Sequence, residues 1–367
     1  MVEWKKLGEV CEVLRGKRLT KSQLNETEGY PVLHGGSTPM GYYSDYNRKA
    51  NTTVVVNTGN AGSVFFYDKE FWSSDACFSL YPNKGIIDKY LYLYVYGCEK
   101  ILKGKIRAGA MPTIDANTVA SLIIPIPSLE EQERIVGILD TFTASIDNIK
   151  AQIEQRRKQY EHYRNTLLTF NKDDDSVEWK TLGEIFNTRN GYTPSTTNEK
   201  FWKEGTIPWF KMEDIRDKGN ILSDSYLHIT PLAVKGKGLF KSNSIILATS
   251  ATIGEHALIL TDFLCNQRFT NFSLKEKYSD EVDMKFIYYY MFIIDEWCKQ
   301  HINQGGFASV DMTGLYNLTI PIPSLQEQQR IVSILDTFEA SITNLEAQLE
   351  QRQKQYEYYR EKLLTFE

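Results

Sequence analysis

Residues 124–170 are written a second time as residues 320–366, with 35 of 47 positions identical at an offset of 196. A shorter signature, Val2-Glu3-Trp4-Lys5, returns as Val177-Glu178-Trp179-Lys180 at an offset of 175. A repeat of this kind restricts the architecture more than any local propensity does, because whatever one copy folds into, the other must fold into as well. Each half is therefore a divergent module followed by a nearly invariant segment, and since the two offsets differ by 21, the second module is longer by that many residues. Faint echoes join the modules: Gly16 with Gly191, Gly109 with Gly305, and Tyr92 and Tyr94 with Tyr288 and Tyr290. The chain divides on this basis into a first module (1–124), a first invariant segment (125–170), a short polar linker (171–176), a second module (177–320) and a second invariant segment (321–367).

The invariant segment reads as a long helix. Ser128 with Glu131, and Ser324 with Glu327, form a capping-box signature just after the prolines. Ile135, Leu139, Phe142, Ile146, Ile149, Ile153, Arg156, Tyr160, Tyr163, Leu167 and Phe170 then follow at alternating spacings of four and three. Ile331, Leu335, Phe338, Ile342, Leu345, Leu349, Arg352, Tyr356, Tyr359, Leu363 and Phe366 repeat the series. Such spacing keeps one narrow stripe turned toward a partner helix, as in a coiled coil. At roughly 1.5 Å per residue each helix would be about 60 Å long. Two matching seams in one chain can pair with each other; a dimerisation zipper is the competing reading. Arg156 and Arg352 interrupt the seam at equivalent places, where an arginine either fixes register or extends to solvent.

Composition narrows the function by exclusion. No run approaches the roughly 20 apolar residues of a membrane span, and the first residues lack the apolar core of a signal peptide, so a cytoplasmic location is expected. The five cysteines are odd in number and form no CxxC pair, which makes each a core residue rather than part of a disulfide framework or zinc ribbon. There is no GxxxxGK[ST] loop, no GxGxxG loop and no HExxH pair, and none of the 11 prolines precedes an aspartate. No Asn-Pro-Pro or Asp-Pro-Pro run of the amino-methyltransferase kind occurs. No catalytic residue and no metal ligand is therefore assigned. The net charge of -5 speaks mildly against nucleic acid as a partner, yet residues 1–124 carry 15 Lys+Arg against 12 Asp+Glu, so a DNA surface would be a local patch.

Two variable modules alternating with two invariant helices, each entered through Ile-Pro-Ile-Pro-Ser-Leu and a Gln-rich first turn, resemble the specificity subunit of type I restriction-modification systems. The opening Glu-Trp-Lys-x-Leu-Gly-Glu and the segments at 54–62 and 245–254 strengthen the resemblance, which extends over essentially the whole chain. It implies mixed α/β target-recognition domains in two copies, separated by two long helices that form an antiparallel coiled coil in a pseudo-twofold circular arrangement. It implies a non-catalytic DNA-binding subunit whose domains each read half of a bipartite, asymmetric target. Two methyltransferase subunits would dock on the helices, with restriction subunits added in some systems. S-adenosylmethionine, ATP and Mg would belong to those partners, with no cofactor in this chain. The alternative is a coiled-coil interaction adaptor without DNA specificity.

Residues facing DNA are nominated inside the modules. Arg15, Lys17, Arg18 and Lys21 surround Gly16, suited to phosphate or guanine; a solvated loop is equally consistent. Arg189, Asn190, Tyr192 and Thr193 occupy the aligned loop. His34 and Ser37 flank a glycine pair near Tyr42, a place for either donors or a structural turn. Asn57, Thr58 and Asn60, like Ser250 and Thr252, follow apolar runs where strand ends present side chains. Lys105, Arg107 and Gln304 precede the glycines at 109 and 305.

Overall fold

The computed structural model describes residues 2–36, 38–107, 109–303 and 308–366, which places Ser37, Gln304 and Gly305 outside the described residues. The first module runs β1 (Glu3–Lys6), α1 (Leu7–Val10), β2 (Cys11–Arg15), β3 (Tyr30–Leu33), β4 (Pro39–Tyr43), β5 (Thr52–Val56), β6 (Val64–Tyr67), β7 (Trp72–Ser73), β8 (Cys77–Pro82), α2 (Asp88–Gly97), α3 (Glu99–Lys103), α4 (Ala116–Ala120) and β9 (Ile123–Ile126), and leads into α5 (Leu129–Leu167). The second runs β10 (Glu178–Thr181), α6 (Leu182–Ile185), β11 (Phe186–Asn190), β12 (Ile207–Phe210), α7 (Met212–Lys218), β13 (Ile221–Leu222), β14 (Leu227–Ile229), β15 (Ser244–Ala248), β16 (His256–Ile259), β17 (Leu264–Cys265) and β18 (Phe269–Leu274). It continues through α8 (Met284–Gln300), β19 (Ile302–Asn303), β20 (Ser309–Val310), α9 (Met312–Asn317) and β21 (Thr319–Ile322) into α10 (Leu325–Leu364). Among the described residues, no helix is long and apolar enough to cross a membrane.

The chain forms two compact units, Met1–Gln152 with Leu345–Glu367, and Ile153–Asn344. In the first unit an antiparallel sheet is ordered β2-β8-β5-β6, a smaller one β4-β3-β7, and β1 pairs with β9. The β-branched run Val54-Val55-Val56 is wholly buried because both faces of β5 are covered: Val55 packs with Leu91, Val95 and Leu102, while Val54 packs with Leu33 and Phe71. The second unit repeats the plan with a sheet ordered β11-β18-β15-β16-β13, a smaller sheet β14-β12-β17, and the pair β10-β21. Along β15, Ile245 and Leu247 join the core that includes Ile287 and Tyr289, and Ile246 and Ala248 join the core around Phe210 and Phe263. The period of two characteristic of strands thus assigns alternate side chains to two cores. Strands β9 and β21 hold the Ile-Pro-Ile sequences, so the module boundaries placed after 124 and 320 fall within strands that pair back to the start of each module.

Both long helices start where the sequence indicates. The Ser128 and Ser324 hydroxyls accept from the amides of Glu131 and Glu327, each at 3.3 Å. Only half of the expected capping box forms, because the two glutamates bond Arg134 and Arg330 at 2.7 Å instead of reaching back. In the first unit the N-terminal part of α5 packs on the C-terminal part of α10: Ile135 and Leu139 cluster with Leu364, and Phe142 stacks on Tyr359 at 5.2 Å. The second unit packs the remainder of α5 on the start of α10, with Tyr163 stacked on Phe338 at 5.2 Å. The helices are therefore antiparallel in each. Of the expected seam, Ile135, Leu139, Ile146, Ile149, Ile153, Ile331 and Leu335 are buried, whereas Ile342, Leu345 and Leu349 are half-buried. Arg156 and Arg352 neither pair in the seam nor escape to solvent; each guanidinium lies over a phenylalanine of the other helix, Phe338 at 5.8 Å and Phe142 at 5.6 Å.

A glutamine ties each long helix to its module. Gln132 and Gln328 are fully buried in the first helical turn. Gln132 accepts from the Ile87 amide at 2.9 Å and donates to the carbonyls of Gly85 and Pro127 at 3.1 and 3.0 Å. Gln328 makes the same three bonds to Asp283, Glu281 and Pro323, at 2.8, 2.7 and 2.8 Å.

Candidate nucleic-acid interface

In both units one end of the central sheet is assembled from the same four pieces of backbone. In the first, β2 ends beside the start of β8, with Arg15 opposite Phe78, and β5 ends on the other side, with Val56 opposite Cys77. Beyond the ladder, Gly16 donates to Cys77 at 3.1 Å, Lys17 to Ser73 at 2.9 Å, Asn57 to Ala76 at 2.8 Å, and Ile114 to Asn57 at 2.9 Å. In the second, Gly191 donates to Phe269 at 2.9 Å, Tyr192 to Cys265 at 2.8 Å, Thr249 to Arg268 at 3.0 Å, and Val310 to Thr249 at 2.9 Å. Both glycines are required by space. A β-carbon on Gly16 would come within 2.2 Å of the Ser73 and Ser74 carbonyl oxygens, and one on Gly191 within 2.3 Å of those of Cys265 and Asn266.

Strand ends of this kind hold exposed side chains on a rigid base, an arrangement suited to recognition. At the first edge Lys17 and Asn60 are exposed, and Arg18, Lys21 and Lys105, nearby in sequence, are exposed as well. Arg15 is exposed too, although its Nε donates to the Asp75 carbonyl at 2.9 Å. Arg107 pairs with Asp115 at 2.8 Å. His34 is hydrogen-bonded through Nδ1 to the Ser74 hydroxyl at 2.8 Å, while Tyr42 is half-buried in β4. Asn57 is engaged inward: it is buried, its amide donates to the Asp75 carbonyl at 3.0 Å, and its oxygen accepts from the Thr58 hydroxyl at 2.8 Å.

The second edge assigns its candidates differently. Arg189 donates to the carbonyls of Lys237 and Gly238 at 2.8 and 2.9 Å, with its guanidinium 4.2 Å from the Phe240 ring centre. The Tyr192 hydroxyl donates to Ala233 and accepts from the Lys235 amide. Both serve the fold. Asn190 and Thr193 are exposed, Ser250 bridges to Ser309, and the buried Thr252 hydroxyl has no hydrogen-bond partner among the described residues. The turn between β17 and β18, residues 266–268, belongs to this edge and is absent from the candidates drawn from sequence. The spacing of 192 that relates Gly62 to Gly254 and Phe71 to Phe263 would have aligned it with residues 74–76.

Helix α8 is anchored near this edge by a buried bond of 2.6 Å between His256 Nδ1 and Asp295; in the first unit Glu99 accepts instead from the Val64 amide at 2.7 Å. A groove of about 1170 Å³ in the first unit lies against the helices, where Asp140, Asp147 and Glu357 mix with Lys89, Lys150 and Arg360. All five cysteines are buried and unbridged. Burial pushes the thiols of Cys77 and Cys98 up to about 11 and those of Cys11 and Cys298 to about 12, so they are poor nucleophiles. Among the described residues, no group of three or more His, Cys, Asp or Glu is placed to hold a metal ion.

The sequence matches the model of the type I restriction modification DNA specificity domain over residues 1–156 and again over 175–354. It is 50% identical over 205 residues to the EcoprrI type I restriction enzyme specificity subunit of Escherichia coli, an alignment covering 53% of this chain and 51% of that one. It is 33% identical to the EcoR124I/EcoR124II specificity subunit of Escherichia coli, covering 100% of this chain and 94% of the relative. The fold is similar to the crystal structure of a type I restriction-modification S subunit from M. genitalium, with a TM-score of 0.62, 18% identity, and 100% and 97% of the two chains covered. A chain from a structure describing complex assembly in a type I system gives a TM-score of 0.64 at 17% identity, covering 99% and 96%.

Proposed function

The chain belongs to the type I restriction modification DNA specificity family, and from that membership we propose that it selects the DNA sequence on which a restriction-modification complex acts. Each module reads one half of a bipartite target. Because the exposed side chains of the two edges differ, the halves differ, and the target is asymmetric. Methyltransferase subunits dock on α5 and α10, and restriction subunits join where the system has them. Methyl transfer and ATP-driven cleavage reside in those partners, which carry S-adenosylmethionine, ATP and Mg, while this chain has no catalytic site and works in the cytoplasm. Arginine and lysine at the first edge supply phosphate contacts that set register, and the polar side chains at strand ends read bases.

One observation carries this reading: two sheet edges with the same backbone bonds present different side chains. A scaffold kept constant while its exposed residues change is what a pair of readers for unlike sequences requires. Mapping methylated adenines in the genome of cells that express the chain with its methyltransferase tests it. The expected result is modification confined to one interrupted sequence, with no transfer by the chain alone. Methylation without sequence preference would leave the chain an adaptor, and transfer by the isolated chain would make it an enzyme.

A further inference from the structure

We propose that Gln267 and Arg268, on the turn between β17 and β18, are base-reading residues of the second edge, Gln267 recognising adenine and Arg268 guanine. The inference rests on the reading of this edge as a DNA surface and adds to it which side chains carry specificity there.

The turn is rigid. Asn266 donates its amide to Phe210 at 3.0 Å and accepts through its side chain from the Arg268 amide at 3.0 Å; the Phe269 amide closes on Asn266 at 3.2 Å. The Arg268 carbonyl accepts from Thr249, and Gly191 packs directly on the turn. Gln267 and Arg268 are nevertheless exposed. A fixed backbone under an outward side chain reduces the freedom lost on binding, which distinguishes this turn from an ordinary solvated loop.

The chemistry of the two side chains is available for recognition. The Arg268 guanidinium has no hydrogen-bond or ion-pair partner among the described residues, in contrast to Arg189, whose donors are taken by carbonyls. A guanidinium with its fork unengaged matches O6 and N7 of guanine in the major groove. Gln267 accepts from the Thr193 hydroxyl at 2.6 Å through Oε1, which sets the orientation of its amide. The amide nitrogen is then directed away as a donor, and Oε1 keeps a second lone pair, together the donor and acceptor that N7 and N6 of adenine need. The first edge has Asp75 and Ala76 at the corresponding places in the same backbone frame, so this turn differs between the modules in the residues that would read and agrees in the backbone bonds that hold it.

The test is selection of targets from a randomised duplex library by the complex of the full chain with its methyltransferase, comparing the parent with Gln267→Ala, Arg268→Ala and Arg268→Lys. Gln267→Ala is expected to lower the preference for adenine, and Arg268→Ala for guanine, by about ten-fold at one position each within a single half-site. Arg268→Lys is expected to lose the guanine preference while overall affinity stays within a few-fold, because lysine keeps the charge and loses the fork. The remaining positions of the same half-site, selected in the same experiment, report that the second module is folded in each variant. Unchanged preferences in a half-site that the parent does select would overturn the assignment. So would an Arg268→Ala variant that binds all sequences uniformly more weakly and is restored by Arg268→Lys, since that is the behaviour of a phosphate contact. A parent that selects no sequence would instead refute DNA reading itself.

Discussion

Arg189 carries the charge and loop position that nominate it for DNA, yet its guanidinium bonds two carbonyls 48 and 49 residues away in sequence and covers Phe240. A single sequence does not disclose that partnership, because the acceptors are main-chain carbonyls, which no residue type specifies. Replacing Arg189 with alanine should therefore cost about 2 kcal/mol in urea unfolding, from charge-assisted bonds lost to carbonyls, and leave target preference intact; a changed half-site with unchanged stability would return it to the interface. Glu339 offers a second residue-scale expectation. Burial raises its carboxyl above the ordinary 4.5, the Tyr160 and Tyr289 hydroxyls pull it back, Asp336 pushes it up again and Lys285 pulls it down. The folded chain then holds this proton at pH values where the unfolded chain has released it, so the group's contribution is complete below the unfolded value and is lost as pH rises through the folded one. Glu339→Gln should raise the melting temperature at pH 7 to 8, with the advantage fading toward pH 4. A variant less stable than the parent at pH 8 would show that the ionised form is the one the fold favours.

The elements divide by how far their causes lie along the chain. The long helices are legible because a 3-4 stripe, a serine cap and a close duplication all lie in plain view along the chain; they run over Leu129–Leu167 and Leu325–Leu364, starting just after the serine caps and ending before Phe170 and Phe366. The strands are legible only where apolar runs mark β5 and β15; the pairing of β1 with β9 joins residues about 120 apart, and nothing in Ile-Pro-Ile announces it. The glutamine clamps are likewise hidden inside a Gln-rich turn. Gln328→Ala removes three bonds and leaves two or more buried main-chain groups unsatisfied, which should destabilise the chain by about 3 kcal/mol in denaturant titration; a loss under about 1 kcal/mol would mean that water replaces the side chain. The seam is uneven, and its mutants should be uneven too. Ile146→Asp buries a charge and is expected to cost about 3 kcal/mol or more, whereas Ile342→Asp, at a half-buried place, should cost markedly less. Equal effects on thermal unfolding would contradict the difference in packing.

At the scale of the whole chain, duplication makes the two-module plan readable in the sequence alone, while divergence hides the readers. Charge draws attention to Arg15 and Lys17, which lie where β2 ends beside β8, whereas at the second edge Arg189 is bonded to main-chain carbonyls and the exposed Asn190, Thr193 and Gln267 carry no charge to mark them. The central claim is that each module reads its own half of the target, and an exchange of modules examines it most directly. Residues 2–126 should be replaced as a block by the corresponding module of another family member, so that β1 and β9 travel together. Target selection from a randomised duplex library, with parent and hybrid each bound to the methyltransferase, then reads the outcome. The account predicts two separated half-sites for the parent and a hybrid in which one half-site changes while the other stays as it was; a contiguous target for the parent, or a hybrid altered in both halves, would contradict it.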